Sequence, residues 1–105
     1  MKRLALAGAA LALVLAATPA LAQYMVFPDS SQRIISNGEL ADLGCQDLWI
    51  ARNEIYHRNG YCFKTKRGKA FFSNAGCWTQ NPSLSNVEQR NVARIQDWEG
   101  RYGCR

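Results

Sequence analysis

"CQDLWIARNEIYHRNGYCF", residues 45–63, decides how the rest of the chain is read. Gly44 stands before it, and Asn59-Gly60 interrupts it near its end. Both Asn and Gly tolerate the left-handed backbone that closes a helix, so the stretch predicts a helix over residues 45–59. At roughly 100° per residue, Leu48, Trp49, Ala51, Ile55 and Tyr56 share one face. Arg52 falls in the middle of that stripe, whereas Asn53, Glu54 and His57 lie on its flank or behind it.

Working outward, Ser36-Asn37-Gly38-Glu39 and Ser85-Asn86-Val87-Glu88 both fit the S-x-x-E capping box, in which serine and glutamate satisfy each other's backbone amides. The first box predicts a short helix over residues 38–43, which Gly44 ends. The second opens a long helix to about Tyr102, with Val87, Ile95, Trp98 and Tyr102 on its apolar face, Asn91 among them and Glu88 at the margin. A further short helix is expected over residues 67–73, carrying Phe71 and Phe72. Residues 23–35 read as an extended lead-in: Pro28 blocks a helix there and Asp29-Ser30-Ser31 suits a turn. Tyr24, Val26 and Phe27 are placed to cover part of the core. The class is all-α, two long antiparallel helices with shorter pieces.

The cysteines, Cys45, Cys62, Cys77 and Cys104, come in an even number in a small chain, which reads as two disulfides. A helix of about 15 residues between Cys45 and Cys62 holds them roughly 20 Å apart, whereas a disulfide needs Cα atoms within about 7 Å. That removes Cys45–Cys62 with Cys77–Cys104. If the long helices pack antiparallel, Cys45 meets Cys104 and Cys62 meets Cys77; pairing Cys45 with Cys77 is the alternative. No C-x2-4-C hook is present and His57 is the sole histidine, so no metal site and no cofactor are expected.

Residues 1–22 carry Lys2 and Arg3, an apolar run near 14 residues and an Ala20-Leu21-Ala22 end, the pattern of a cleavable secretory signal peptide. The run is short for a membrane span, which needs about 20 residues. The expected location is the bacterial periplasm or the medium, with residues 36–105 as the folded domain and no transmembrane segment in the mature chain. Loss of Lys2 and Arg3 lowers the formal charge from +5 to +3. That excess suits weak attraction to polyanions, and export argues against nucleic acid as a partner.

Residues 48–63, "LWIARNEIYHRNGYCF", with Phe72, Trp78 and residues 84–95, "LSNVEQRNVARI", resemble the YARHG domain family. Residues 27–40, "FPDSSQRIISNGEL", are similar to the approach seen in that family. The resemblance implies a small extracytoplasmic bacterial module and implies no particular activity. Tyr56, Arg58 and Gly60 match the eponymous motif, but His57 stands at its alanine and Asn59 at its histidine. A role resting on the motif histidine therefore does not transfer, and Asn59 is consistent with ending a helix.

Arg52, Asn53, Tyr56, Gly60, Glu88 and Asn91 are expected to be structural. A guanidinium on a buried stripe must be paired; Glu88 is the first choice of partner and Glu99 the second. His57 is expected on the surface, stabilised by the helix C-terminus. No catalytic residue is assigned, because no nucleophile is presented and neither G-x-S-x-G nor H-E-x-x-H occurs. One segment suggests a binding surface: Arg58, Tyr61, Lys64, Lys66, Arg67 and Lys69, with no acidic residue between Glu54 and Glu88. It would dock on an acidic envelope protein or an anionic envelope polymer. A binding module is therefore the leading expectation, and a small cell-wall hydrolase, or an inhibitor of one, the rival.

Overall fold

The structure, a computed structural model, describes residues 24–105; the expected signal peptide lies outside them. Four helices are present among the described residues: α1 (Asn37–Ala41), α2 (Cys45–Arg58), α3 (Lys66–Phe72) and α4 (Asn86–Arg101). Both capping boxes form. Ser36 Oγ accepts from the Glu39 amide and Ser85 Oγ from the Glu88 amide, each at 3.1 Å, while each glutamate accepts from the serine's own amide. α3 begins one residue earlier than expected because Thr65 caps it, accepting from Gly68 N–H at 3.0 Å. α1 stops at Ala41, short of residue 43.

The end of α2 divides its task between two residues. Asn59 keeps a negative φ of −101°. Its side chain instead donates to the Ile55 carbonyl at 2.8 Å, satisfying one of the helix's open carbonyls. Gly60 takes the left-handed turn, with φ at +84°.

Cys45 is bonded to Cys104 and Cys62 to Cys77, the nested pairing. The first bond joins the start of α2 to the chain just past α4. At the other end of α2, Asn59 reaches Glu88 in α4's first turn. Phe27, Ile35, Leu40, Leu48, Ala51, Ile55, Val92 and Ile95 fill the space between α1, α2, α4 and the lead-in. On another side of α2, Ile50 packs with Phe63 and Phe72, against Trp49, Tyr61 and Phe71. A single apolar stripe does not describe α2, since two clusters grip it from different sides. Tyr102, expected on α4's apolar face, is 44% exposed. It follows the last helical residue, where its ring lies 5.5 Å from that of Trp98 and its hydroxyl donates to the Ala41 carbonyl.

The lead-in is less extended than expected. Residues 28–32 are turns, with the Ser30 amide on the Phe27 carbonyl at 3.1 Å and the Gln32 amide on Asp29 at 2.9 Å. Pro28 suits the second position of the first turn. Beyond α2, a single parallel bridge joins Tyr61 to Thr79 and ties the disulfide loop back to the helix end.

Candidate functional site

The polar side chains inside the domain are occupied with each other and with backbone. Asn91, fully buried, accepts from Ile35 N–H at 2.9 Å and donates to the Ser30 and Arg33 carbonyls at 2.8 Å each. Glu54, placed on a flank by helical projection, is also fully buried. Its two oxygens accept from Val26 N–H at 2.8 Å and Phe27 N–H at 2.7 Å, so a carboxylate in α2 clasps the lead-in. Burial raises its pKa, against the Phe27 and Val26 amides and nearby Arg58, which favour the charged form. The available signal was Ile50, four residues earlier on the same side of α2, which marks that side as facing protein.

Glu88 is similarly committed. Besides capping α4, it accepts from Ser31 Oγ at 2.6 Å and from Asn59 Nδ2 at 3.0 Å. Burial pushes this carboxyl up, but hydrogen bonds from Ser31, the Ser85 amide and Asn59 prevail and hold it below its ordinary value. Arg58, expected on a binding surface, turns inward. Its guanidinium donates to Ser31 Oγ at 3.1 Å and to Ser30 Oγ, and its Nη1 is buried without a partner among the described residues. The serine turn of the lead-in, folded against α2, supplies the acceptors that draw it in.

Arg52 pairs with Glu99, not with Glu88. Nε lies 2.7 Å from Oε1 and Nη2 3.1 Å from Oε2, a two-pronged contact. Contacts at the ends of the long helices explain the choice. Position 52 is midway between 45 and 59, so it falls opposite the stretch midway between 88 and 104. Glu99 is within a turn of that point, whereas Glu88 is about two turns away.

His57 also departs from expectation. Its ring packs against Phe72 and Phe63, with centroids 5.2 and 6.4 Å away. Burial, then the charge of Arg58, lowers its pKa. The direction is opposite to the one expected of a histidine at a helix C-terminus.

An open cleft of about 490 Å³ lies beside α2, lined by Arg52, Asn53, Tyr56, Tyr61, Gln80, Asn81 and Pro82. Asn53 donates to the Trp49 carbonyl of its own helix at 3.0 Å. A smaller hollow of about 170 Å³ adjoins it, sharing Tyr61 and bounded by His57, Gly60 and Trp78. Lys64, Lys66, Arg67 and Lys69 are exposed on and just before α3. Arg67 lies 3.8 Å over the Trp49 ring and donates to Gln46. Tyr61, expected with this basic group, belongs to the cleft instead. Projection of the sequence did not single out Gln80, Asn81 or Trp78 as site residues.

No cluster of three or more His, Cys, Asp or Glu side chains suited to a metal ion occurs among the described residues, and no helix there is long and apolar enough to cross a membrane. Two disulfides fit an oxidising compartment. Among family models, the YARHG domain matches residues 23–100, most of the chain. No curated protein and no solved structure matches.

Proposed function

We propose that this chain, which belongs to the YARHG domain family, is an exported, non-catalytic binding module of the bacterial periplasm or cell envelope. The observation that carries this reading is the face of α3. Lys64, Lys66 and Lys69 are exposed and make no ion pair among the described residues. Arg67 is held in place by Trp49 and Gln46. Thr65 caps the helix that carries three of these four cations. The result is a basic surface whose backbone is ordered before a partner arrives, which reduces the entropy lost on binding. An acidic envelope protein or an anionic envelope polymer is the partner such a face suits.

The state of three poorly exposed carboxylates, Glu54, Glu88 and Glu99, supports binding over catalysis. Glu54 holds backbone amides, Glu88 holds a helix start with Ser31 and Asn59, and Glu99 holds Arg52. A general acid or base needs a free path to substrate.

The test is retention of the oxidised domain on immobilised poly-glutamate and on isolated cell-wall sacculi, in low salt. The wild type should bind and be released by salt. Reversing the charge of Lys64, Lys66, Arg67 and Lys69 together should weaken retention at least tenfold with the fold intact. Equal retention of both proteins, or none of the wild type at low salt, refutes the reading.

A further inference from the structure

Trp78 is 72% exposed, the most exposed large apolar side chain among the described residues, yet its ring is seated against the backbone. A Cβ built at Gly60 would come within 2.2 Å of the indole Cε2, so one face of the ring lies flat on a glycine that leaves room for it. The segment holding the ring is tied down on every side. Trp78 and Thr79 amides donate to the Gly60 carbonyl at 2.9 and 3.1 Å, and the Cys62 amide donates to Thr79 at 2.8 Å. Cys77, the preceding residue, is bonded to Cys62. The ring belongs to neither core and is presented to water in one fixed orientation.

The surroundings define what would cover it. The hollow beside the indole is otherwise bounded by small residues, Gly60, Ala75 and Gly76, with His57 and Tyr61. Past Tyr61, the larger cleft is lined by Arg52, which is paired with Glu99, and by the amides of Asn53, Gln80 and Asn81, the Gln80 Nε2 being held on the Cys62 carbonyl at 3.0 Å. The Asn53 Oδ1 makes no hydrogen bond among the described residues, because the side chain uses only its Nδ2, on Trp49. Neither lining contains Val, Leu, Ile, Met or Phe. An apolar peptide or acyl chain would meet only the rings of Trp78, Tyr61, Tyr56 and His57 with Pro82, set among polar groups and with no aliphatic pocket to enter. A sugar ring has the complementary chemistry. Its flat C–H face meets the negative face of the indole, as the positive edge of one aromatic meets the face of another. Its hydroxyls then turn outward to amide donors and acceptors.

From this arrangement we propose that Trp78 and the adjoining cleft form a carbohydrate site: one pyranose ring stacks on the indole and the next unit of the chain lies past Tyr61, against Asn53, Gln80 and Asn81. The site is separate from the Arg67 part of the basic face, although Lys64 follows Tyr61 by three residues. Gly60 follows the C-terminal end of α2, whereas Arg67 contacts Gln46 and Trp49 in its first turns, about 15–20 Å away along the helix.

The test uses the oxidised domain and neutral β-1,4-linked oligosaccharides, chitotetraose and cellotetraose, followed by calorimetry and by backbone amide shifts in NMR. At least one of the two should bind, with shifts confined to residues around Trp78, Tyr61 and Gln80. Trp78→Ala should weaken binding at least tenfold with melting unchanged, since the ring is outside both cores. Trp78→Phe should retain part of it. The protein with reversed charges on α3 should bind as tightly as wild type, which separates this site from the basic face. The proposal is overturned if neither sugar binds at millimolar concentration, if Trp78→Ala binds as well as wild type, or if the shifts map to α3.

Discussion

On the side of α2 that faces α1 and α4, the packing is mostly aliphatic, with Phe27 inside it and Tyr56 and Trp98 at its edge, and the polar groups among it are consumed by the fold. Asn91 there holds three backbone groups of the lead-in, and the neighbouring Glu88 spans the lead-in, α2 and its own helix cap. On the side that faces α3 and the disulfide loop, the packing is a run of rings. Phe63 stacks on Phe72 at 5.0 Å, and Trp49, Tyr61, Phe71 and His57 gather around them. Many of those rings are only half-buried, and exposed basic side chains lie beside them. The difference teaches a division of labour. Aliphatic side chains with buried amides specify one closed arrangement, because an unmade buried hydrogen bond is expensive. Aromatic side chains stabilise through large area while still offering faces and edges to a partner.

The largest effect that could break this comparison comes from the disulfides. Cys45–Cys104 closes a separation of 59 residues and Cys62–Cys77 one of 15. Replacing the first pair by serine should cost about 4 kcal/mol and the second about 3 kcal/mol, by restoring unfolded-chain entropy. Urea unfolding of the two double variants measures both. A larger loss at Cys62–Cys77 would mean that the aromatic side, not the aliphatic one, governs stability.

The next effect tests the two amide clasps directly. Asn91→Ala strands Ile35 N–H and two carbonyls in the interior and should cost about 2–3 kcal/mol. Asn74 clasps Phe63 in the same way on the aromatic side, accepting from its amide at 2.8 Å and donating to its carbonyl at 2.9 Å. It is half-buried, water can replace it, and Asn74→Ala should cost about 1 kcal/mol. Equal losses in thermal or urea melts would erase the distinction between the two sides.

The smallest effect is one of pH, and the aromatic side contributes to it through His57. His57 has a folded pKa below its ordinary 6.5, so folding favours the neutral ring. Its contribution is complete above the unfolded value and is lost as pH falls through the folded one. Stability should therefore decline from pH 7 toward pH 5.5, and His57→Phe should flatten that decline. Glu54 has the opposite sign: its raised value means that its contribution grows as pH falls from neutral. A decline that persists unchanged in His57→Phe would show that the ring keeps its water.

Much of the fold was legible before any coordinates. Gly44, Asn59 and Gly60 bracket α2, and the two capping boxes start α1 and α4, because helix ends are determined by residues within one turn. Helix rigidity excludes one of the three disulfide pairings, because it holds Cys45 and Cys62 apart; choosing Cys45–Cys104 with Cys62–Cys77 over the remaining alternative rests on how the long helices pack. The site was less legible. Arg52 was seen as needing a partner, but choosing Glu99 over Glu88 required the register between helices. Arg58 and Glu54 were misplaced because the lead-in folds back onto α2 and buries a second side of it. Periodicity reports a helix's best apolar face, not how many neighbours it has.

Local chemistry in the chain was thus sufficient for where α2 and α4 start and stop to within a residue, and for two cross-links that fit an oxidising compartment. Tertiary packing alone decided which charges are consumed inside and which rings are left facing water. The reason is range. Caps and turns act across three or four residues, whereas burial of Glu54, Arg58 and one face of Trp78 depends on partners 15 or more residues away.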